Sequence, residues 1–97
     1  MAYKIILLEE ARFEVAEAAL FYKQFGKELS DDILARFFET IEIITEGPLL
    51  FQTNKKGYRK ANLKRFPYKI VFKLVDDNIV VVAFAHHKRK PRYWKNR

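Results

Sequence analysis

The fold is decided by residues 68–85, which read YKIVFKLVDDNIVVVAFA. In residues 68–75, apolar side chains alternate with Lys69, Val71 and Lys73, which predicts a half-buried strand with one basic face. Residues 79–85 are continuously apolar and rich in valine, which predicts a central strand covered on both faces. Between them, Asp76-Asp77-Asn78 predicts a tight turn, since Asp and Asn tolerate left-handed dihedrals. The stretch therefore predicts an antiparallel hairpin.

The residues upstream of this hairpin predict one strand and two helices. Tyr3–Leu8 is mostly apolar and predicts a short buried strand. Two stretches with helical spacing follow, joined by a few residues, and they predict an antiparallel helical hairpin. Gly26 is expected to end the first helix, Ser30 or the Asp31-Asp32 pair to cap or charge the start of the second, and Gly47-Pro48 to end it. The apolar stripes are Ala11, Val15, Ala18, Tyr22 and Phe25 in the first helix, and Leu29, Ile33, Phe37, Ile41 and Ile44 in the second.

A further strand over residues 57–63 completes the predicted order, which is βααβββ. Both helices should pack on one face of a largely antiparallel sheet, with the last three strands antiparallel, in an α+β fold of two layers. The chain of 97 residues shows no repeat, linker or low-complexity segment. We therefore expect a single domain over residues 1–97.

The composition excludes several classes of function. With no cysteine, the chain has no disulfide, thiolate metal site or cysteine nucleophile. Neither a glycine-rich phosphate loop nor a metal-ligand spacing is present, so we expect no metal and no cofactor. The longest apolar run, residues 79–85, is far shorter than the ~20 residues that span a bilayer. The N-terminus has no cleavage site typical of a signal peptide, and we expect a soluble cytoplasmic protein.

Charge is divided unevenly along the chain. Residues 1–50 hold five basic and ten acidic side chains, whereas residues 51–97 hold fourteen basic and two acidic ones, so the halves carry −5 and +12. Such a division predicts that the second half offers a positive surface to an anionic partner. The alternative is that the charged side chains of each half only cover its own solvated faces. The residues expected to bind a target or nucleic acid are Lys55, Lys56, Lys64, Lys69, Lys88, Arg92, Trp94 and Arg97.

Pairing of the hairpin should bring residues 64–69 near residues 86–89, because residues on either side of a turn become cross-strand neighbours. The basic runs are therefore expected to form one patch, set apart from the acidic helices. Basic side chains interleaved with Tyr93 and Trp94 suit phosphates and stacked bases. The alternative is that this aromatic pair only holds the C-terminal tail against the body.

Both histidines follow the predicted central strand. A histidine there, beside Arg89 and Tyr93, could act as general acid or base in RNA cleavage, with cationic side chains stabilising the developing charge. The alternative is structural: His87 continues the buried face that includes Ile79 and Val81, while His86 hydrogen-bonds a carbonyl group.

The segment order and several motifs resemble the RelE/ParE superfamily of bacterial type II toxins. The resemblance covers nearly the whole chain. It rests on Phe21-Tyr22, Gly47-Pro48, Arg59, Leu63, the strand opening Phe66-Pro67-Tyr68, and the terminal pattern His-x-x-Arg-x-Pro-x-x-Trp-x-x-Arg over residues 86–97. It implies a toxin encoded beside an antitoxin that neutralises it by wrapping its surface.

The two branches of the superfamily imply different activities. ParE-like members block DNA gyrase, and the Phe-Pro-Tyr and terminal patterns are closer to that branch, so the first prediction is a ParE-like plasmid-stabilisation toxin. RelE-like members cut messenger RNA on the ribosome, and that alternative implies a metal-independent endoribonuclease. Its catalytic residues would be Arg59, Arg65, His87, Arg89 and Tyr93. A second alternative is a plain nucleic-acid-binding module. For either toxin, we expect an acidic antitoxin segment that also inserts apolar side chains along the helices.

Overall fold

The computed structural model describes residues 3–90 and 93–97. The elements follow the predicted order, with a short 3₁₀ turn after the second helix. They are β1 (Lys4–Leu7), α1 (Glu9–Lys23), α2 (Lys27–Glu46), the 3₁₀ turn (Pro48–Leu50), β2 (Tyr58–Asn62), β3 (Tyr68–Val75) and β4 (Asn78–His86). The predicted α+β class and βααβββ order are confirmed.

The four strands form one mixed sheet in the order β1-β4-β3-β2. Strands β2, β3 and β4 are antiparallel, as predicted, and β1 lies parallel to β4. The β3–β4 hairpin turns at Asp76-Asp77, where Val75 pairs with Asn78 and Asp76 has a left-handed φ of 56°. The expected central strand is β4, which has a neighbour on each side and is buried on both faces.

The main core lies between the helices and one face of the sheet. Ile33, Phe37 and Ile44 of α2 pack there with Phe72 and Ile79 of the sheet. The predicted stripes supply most of this core, and burial of side chains of this size is the main stabilising term of such a domain.

Three predictions about the first half of the chain are wrong in detail. Phe25 is 63% exposed, because α1 ends at Lys23 and Gly26, with φ 129°, redirects the chain. Helix α2 begins at Lys27, so Ser30 lies inside the helix and is buried instead of capping it. Strand β1 is an edge strand with exposed Ile5 and Ile6, since only β4 flanks it.

A β-bulge in β4 changes which face its side chains occupy. Val71 pairs with Ala83 and Phe72 pairs with Val81, which leaves Val82 as an extra residue without a partner in β3. Before the bulge, Val81 faces the helices; after it, Ala83 packs in a second cluster on the opposite face. The strand therefore does not present one continuous buried face from residue 79 to residue 87.

No helix within residues 3–90 and 93–97 has the length and apolar character to cross a membrane. The same residues contain no group of three or more histidine, cysteine or carboxylate side chains that could hold a metal ion.

Candidate target-binding surfaces

The C-terminal tail, residues 93–97, packs against the sheet face opposite the helices. Trp94 is 2% exposed and lies in a cluster with Tyr58, Val71 and Val82. The Tyr58 hydroxyl donates a hydrogen bond to the carbonyl of Lys95 at 2.9 Å. The tail therefore forms part of the folded body, as the structural alternative expected, and the buried Trp94 ring does not offer a face for stacking with a base.

A buried carboxylate holds the tail in place. Glu14 projects from α1, is 7% exposed, and accepts hydrogen bonds from three residues, one in β4 and two in the tail. Its Oε1 accepts from the Phe84 backbone N–H at 3.1 Å and from Arg97 Nη1 at 2.9 Å. Its Oε2 accepts from the Tyr93 hydroxyl at 2.6 Å and from Arg97 Nη2 at 3.3 Å. We call Glu14, Phe84, Tyr93 and Arg97 the Glu14 cluster.

The Glu14 cluster satisfies backbone groups that the sheet leaves without strand partners. Strand β1 pairs with β4 only as far as Val81, where Leu8 N–H donates to the Val81 carbonyl. Beyond this point Glu14 accepts from the Phe84 N–H, and Arg97 Nη1 donates to the Val82 carbonyl at 3.0 Å. Buried backbone groups without a partner would cost roughly 1–3 kcal/mol each. The side chains of Glu14 and Arg97 therefore supply the hydrogen bonds to β4 that a longer β1 would have made.

Electrostatics fix the protonation states in this cluster. Burial, the hydrogen bond to Glu14 and the charge of that carboxylate together raise the pKa of Tyr93. Burial alone would lower the pKa of Arg97, but the hydrogen bond and charge of Glu14 outweigh it and the pKa is raised. At neutral pH the phenol is therefore neutral and donates to Glu14, while the guanidinium is charged.

Two of the predicted catalytic residues meet at the tail. The Arg89 guanidinium carbon lies 4.3 Å from the centroid of the Tyr93 ring, and Arg97 lies 5.0 Å from the same centroid. Both arginines thus contact the ring, in the geometry of cation–π pairs. The hydroxyl of Tyr93 is bound by Glu14.

The other two predicted catalytic arginines contact different elements. Arg59 pairs across the strands with Phe72, on the helix side of the sheet, and donates to the Phe51 carbonyl. Arg65, in the β2–β3 loop with φ 72°, forms an ion pair with Asp32 of α2 at 2.7 Å. The expectation of one basic patch set apart from the acidic helices is therefore wrong for Arg65 and Arg97, because both pair with helix carboxylates.

The two histidines occupy different environments. His86 is half-buried, its ring lies 5.0 Å from that of Tyr68, and its Nδ1 accepts from the Lys88 N–H at 3.0 Å. His87 is exposed on the turn after β4, with its N–H bound to the Pro67 carbonyl at 2.8 Å. The structural alternative is wrong about His87, because the bulge ends the face it was expected to continue.

A cationic cleft lies beside the tail. Its volume is about 520 Å³, and we call it the lysine cleft; it is lined by Asn54, Lys55, Lys56, Tyr58, Lys60, Trp94 and Lys95. Lys60 Nζ and Lys69 Nζ lie 5.5 and 5.3 Å from the centroid of the Trp94 ring, which belongs to the cleft lining. Burial and the charge of Lys60 lower the pKa of Lys69. Of the predicted residues, Lys55 and Lys56 line the cleft, and Lys69 lies beside it at the Trp94 ring.

Of the remaining predicted residues, Lys64 and Lys88 are exposed in loops, and Arg92 lies outside the described residues, as does Pro91 of the terminal motif. The predicted proximity of residues 64–69 to residues 86–89 is confirmed by the pairing of Tyr68 with His86 and by the hydrogen bond from the His87 N–H to the Pro67 carbonyl.

A second surface lies on the opposite side of the molecule, between α1 and α2. It is a groove of about 470 Å³ that includes Val15, Leu20, Leu34 and Phe38, and we call it the helical groove. Phe38 is 61% exposed there, although it is a large apolar side chain. An apolar surface left open in this way is typical of a site for a protein partner.

Comparison with known proteins identifies the family. The model of the ParE toxin of the type II toxin–antitoxin system, parDE, matches residues 5–91. The chain belongs to the ParE toxin family. Its fold is similar to that of a solved structure of a chromosomal ParDE toxin–antitoxin system from P. aeruginosa, with a TM-score of 0.78 and 13% sequence identity, covering 88% of this chain and 96% of the other. No curated protein matches the chain significantly.

Sequence reasoning missed three residues of this ParE-family toxin. Glu14 carries the tail contacts, and its only local signal is a carboxylate at helical spacing between Ala11 and Ala18, on the buried stripe of α1. Lys60 and Lys95 line the lysine cleft. The signal for Lys60 was its position two residues after Tyr58, since alternate residues of a strand share a face.

We predict that Glu14→Gln lowers the free energy of unfolding by about 2–3 kcal/mol, because it leaves the Arg97 guanidinium in a poorly hydrated position without a counter-charge. Urea denaturation followed by circular dichroism measures this change. The matched control is Glu17→Gln, an exposed position on the same helix, which should change the value by less than about 0.5 kcal/mol. Equal effects of the two substitutions would contradict the role assigned to Glu14.

We also predict a loss of stability at alkaline pH that depends on Tyr93. Its folded-state pKa is raised, whereas tyrosine in the unfolded chain titrates near 10.0. The stabilisation is therefore complete below that pH and is lost as pH rises toward the folded-state pKa. Tyr93→Phe should therefore flatten the fall in urea midpoint above about pH 10, and should not change the slope at lower pH.

The pKa of Tyr68 is raised too, chiefly by burial. The variant Tyr68→Phe therefore measures how much Tyr68 contributes to the loss of stability in the same pH range. If the wild-type chain and Tyr93→Phe lose stability with the same slope, the proton held between Tyr93 and Glu14 does not contribute.

Proposed function

We propose that this chain arrests growth by binding DNA gyrase and is neutralised by the antitoxin encoded beside it. The observation that carries the proposal is the match to the ParE toxin family over residues 5–91. The resemblance to the ParE branch implies gyrase as the target. The strand opening Phe66-Pro67-Tyr68 and the terminal pattern support the same branch.

The arrangement of the basic residues favours binding over RNA cleavage. General acid–base catalysis needs a base, an acid and cationic groups that converge on one reacting phosphate. Here Arg59 contacts the Phe51 carbonyl and Arg65 contacts Asp32, on the helix side of the sheet. Tyr93 is held by Glu14 as a neutral donor. We therefore place the RelE-like endoribonuclease second.

The gyrase proposal predicts accumulation of cleavage complexes. The purified chain is incubated with gyrase, ATP and supercoiled plasmid, and trapped complexes are scored as linear DNA after detergent and protease treatment. Prior addition of the antitoxin should restore normal supercoiling, which controls for contaminating nucleases. Messenger RNA should stay intact during growth arrest after induction.

Two outcomes would contradict the gyrase proposal. Unchanged gyrase activity at a large molar excess of the chain would remove gyrase as the target. Cleaved messages in arrested cells, lost on replacing His87 or Arg89 one at a time, would establish the endoribonuclease alternative instead.

We further propose that the antitoxin occupies the helical groove. Membership in a toxin–antitoxin family implies a cognate antitoxin. The groove offers apolar side chains such as Leu20 and Phe38, with Arg12 and Lys23 also in its lining. An amphipathic segment with apolar anchors and acidic flanks fits this chemistry, and such segments fold as they bind.

We predict that Phe38→Asp weakens antitoxin binding roughly 30-fold or more. The substitution puts a negative charge into the apolar groove, where apolar side chains of the antitoxin are expected to bind. The probe is the product of the neighbouring antitoxin reading frame, measured by isothermal titration calorimetry. Phe25→Asp is the matched control, since Phe25 is equally exposed but lies outside the groove. If both substitutions weaken binding equally, or neither does, the groove is not the antitoxin site.

A further inference from the structure

Six lysines gather around the tail side of the sheet. They are Lys55 and Lys56 in the loop before β2, Lys60 on β2, Lys69 and Lys73 on β3, and Lys95 in the tail. Within residues 3–90 and 93–97, none of the six forms an ion pair, whereas Arg36, Arg65 and Arg97 all pair with carboxylates. The positive charge of this face is therefore not neutralised by the described part of the chain.

Aromatic rings hold several of these ammonium groups in place. Lys60 and Lys69 lie over the Trp94 ring, and Lys73 Nζ lies 5.2 Å from the centroid of the Tyr58 ring. The rings are buried, so they fix the lysines from below. Because the charges are positioned before any ligand arrives, binding does not carry the full entropic cost of ordering these side chains.

The loop that carries Lys55 and Lys56 is ordered by its own hydrogen bonds. The Asn54 Oδ1 accepts from the backbone N–H groups of Lys56 and Tyr58, both at 2.9 Å. Gly57 supplies the left-handed φ of 86° that closes the turn. One wall of the lysine cleft is thus built by local structure that the sequence encodes directly.

We propose that the lysine cleft binds the phosphate backbone of duplex DNA without regard to base sequence. This site goes beyond the proposed function, which concerns contact with a topoisomerase. Lysine acts on phosphate oxygens as a point charge, whereas planar carboxylates are bound best by arginine forks. Among the described residues, those that line the cleft include lysines but no arginine. The repulsion between Lys60 and Lys69, which contributes to the lowered pKa of Lys69, would be relieved by a bound anion.

The burial of the aromatic rings favours duplex DNA over a single strand as the ligand. Proteins that bind single strands without sequence preference stack successive bases on aromatic faces. Here the Trp94 face is buried under two ammonium groups, so a single strand gains nothing from stacking. A duplex carries one phosphate charge per about 1.7 Å of its axis and needs no stacking, so it suits a surface that offers charge alone.

The test is fluorescence anisotropy with a labelled duplex of about 20 base pairs in about 50–200 mM salt. Each phosphate contact contributes about −0.9 to the slope of log K against log salt. Because Lys55→Gln/Lys56→Gln removes two contacts, the magnitude of that slope should fall by about 2, with affinity lost equally for duplexes of different sequence. Lys95→Gln should lower it by about 1, which assigns the tail to the same site.

The matched control is Lys23→Gln/Lys27→Gln, which removes the same charge from the ends of the two helices and should leave the slope unchanged. Thermal melting establishes that all variants are folded. An equal fall in slope for both double variants would overturn the proposal, because binding would then reflect net charge alone. Tighter binding of a single strand, or of a polyglutamate peptide, would also overturn it. Gyrase is absent from this assay, so its outcome is separate from that of the gyrase test.

Discussion

The structure depends on the carboxylate of Glu14. This side chain projects from helix α1 and hydrogen-bonds both to the bulged part of β4 and to the C-terminal tail. A buried carboxylate is costly unless donors surround it, and here four hydrogen bonds from three residues do so. Because the acceptor lies in α1 and its donors lie between residues 84 and 97, the cluster forms only when the two ends of the chain come together, and it then holds the tail on the sheet.

The tail in turn completes the lysine-rich surface on the sheet face opposite the helices. Trp94 covers the sheet face opposite the helices and supplies the ring beneath Lys60 and Lys69. Without the tail, the valine-rich face of β4 would be open to water and the lysine cleft would lose part of its lining. Arg65 and Arg97 pair with carboxylates of the helices and stabilise the fold. The lysines on the far side of the sheet form no ion pair with the part of the chain that the structure describes.

The sequence predicts those features that are encoded within a few residues. The β3–β4 hairpin is correct because its period and its Asp76-Asp77 turn are local signals. The prediction for Phe25 is wrong because α1 ends before this residue, and the prediction for His87 is wrong because the bulge in β4 changes which face the later residues occupy. The spacing of apolar residues along the sequence reveals neither the helix end nor the bulge. The role of Glu14 was missed for a related reason, since its partner Arg97 lies 83 residues away in the sequence. Likewise, the split of the basic patch follows from ion pairs between distant elements.

The two proposed binding surfaces lie on opposite faces of one sheet. The helical groove belongs to the helix layer, whereas the lysine cleft lies on the side covered by the tail. A partner confined to the groove would leave the lysines exposed, so it could not block a DNA contact by direct competition. An antitoxin that neutralises both surfaces must therefore extend around an edge of the sheet, and its acidic part must reach the lysines.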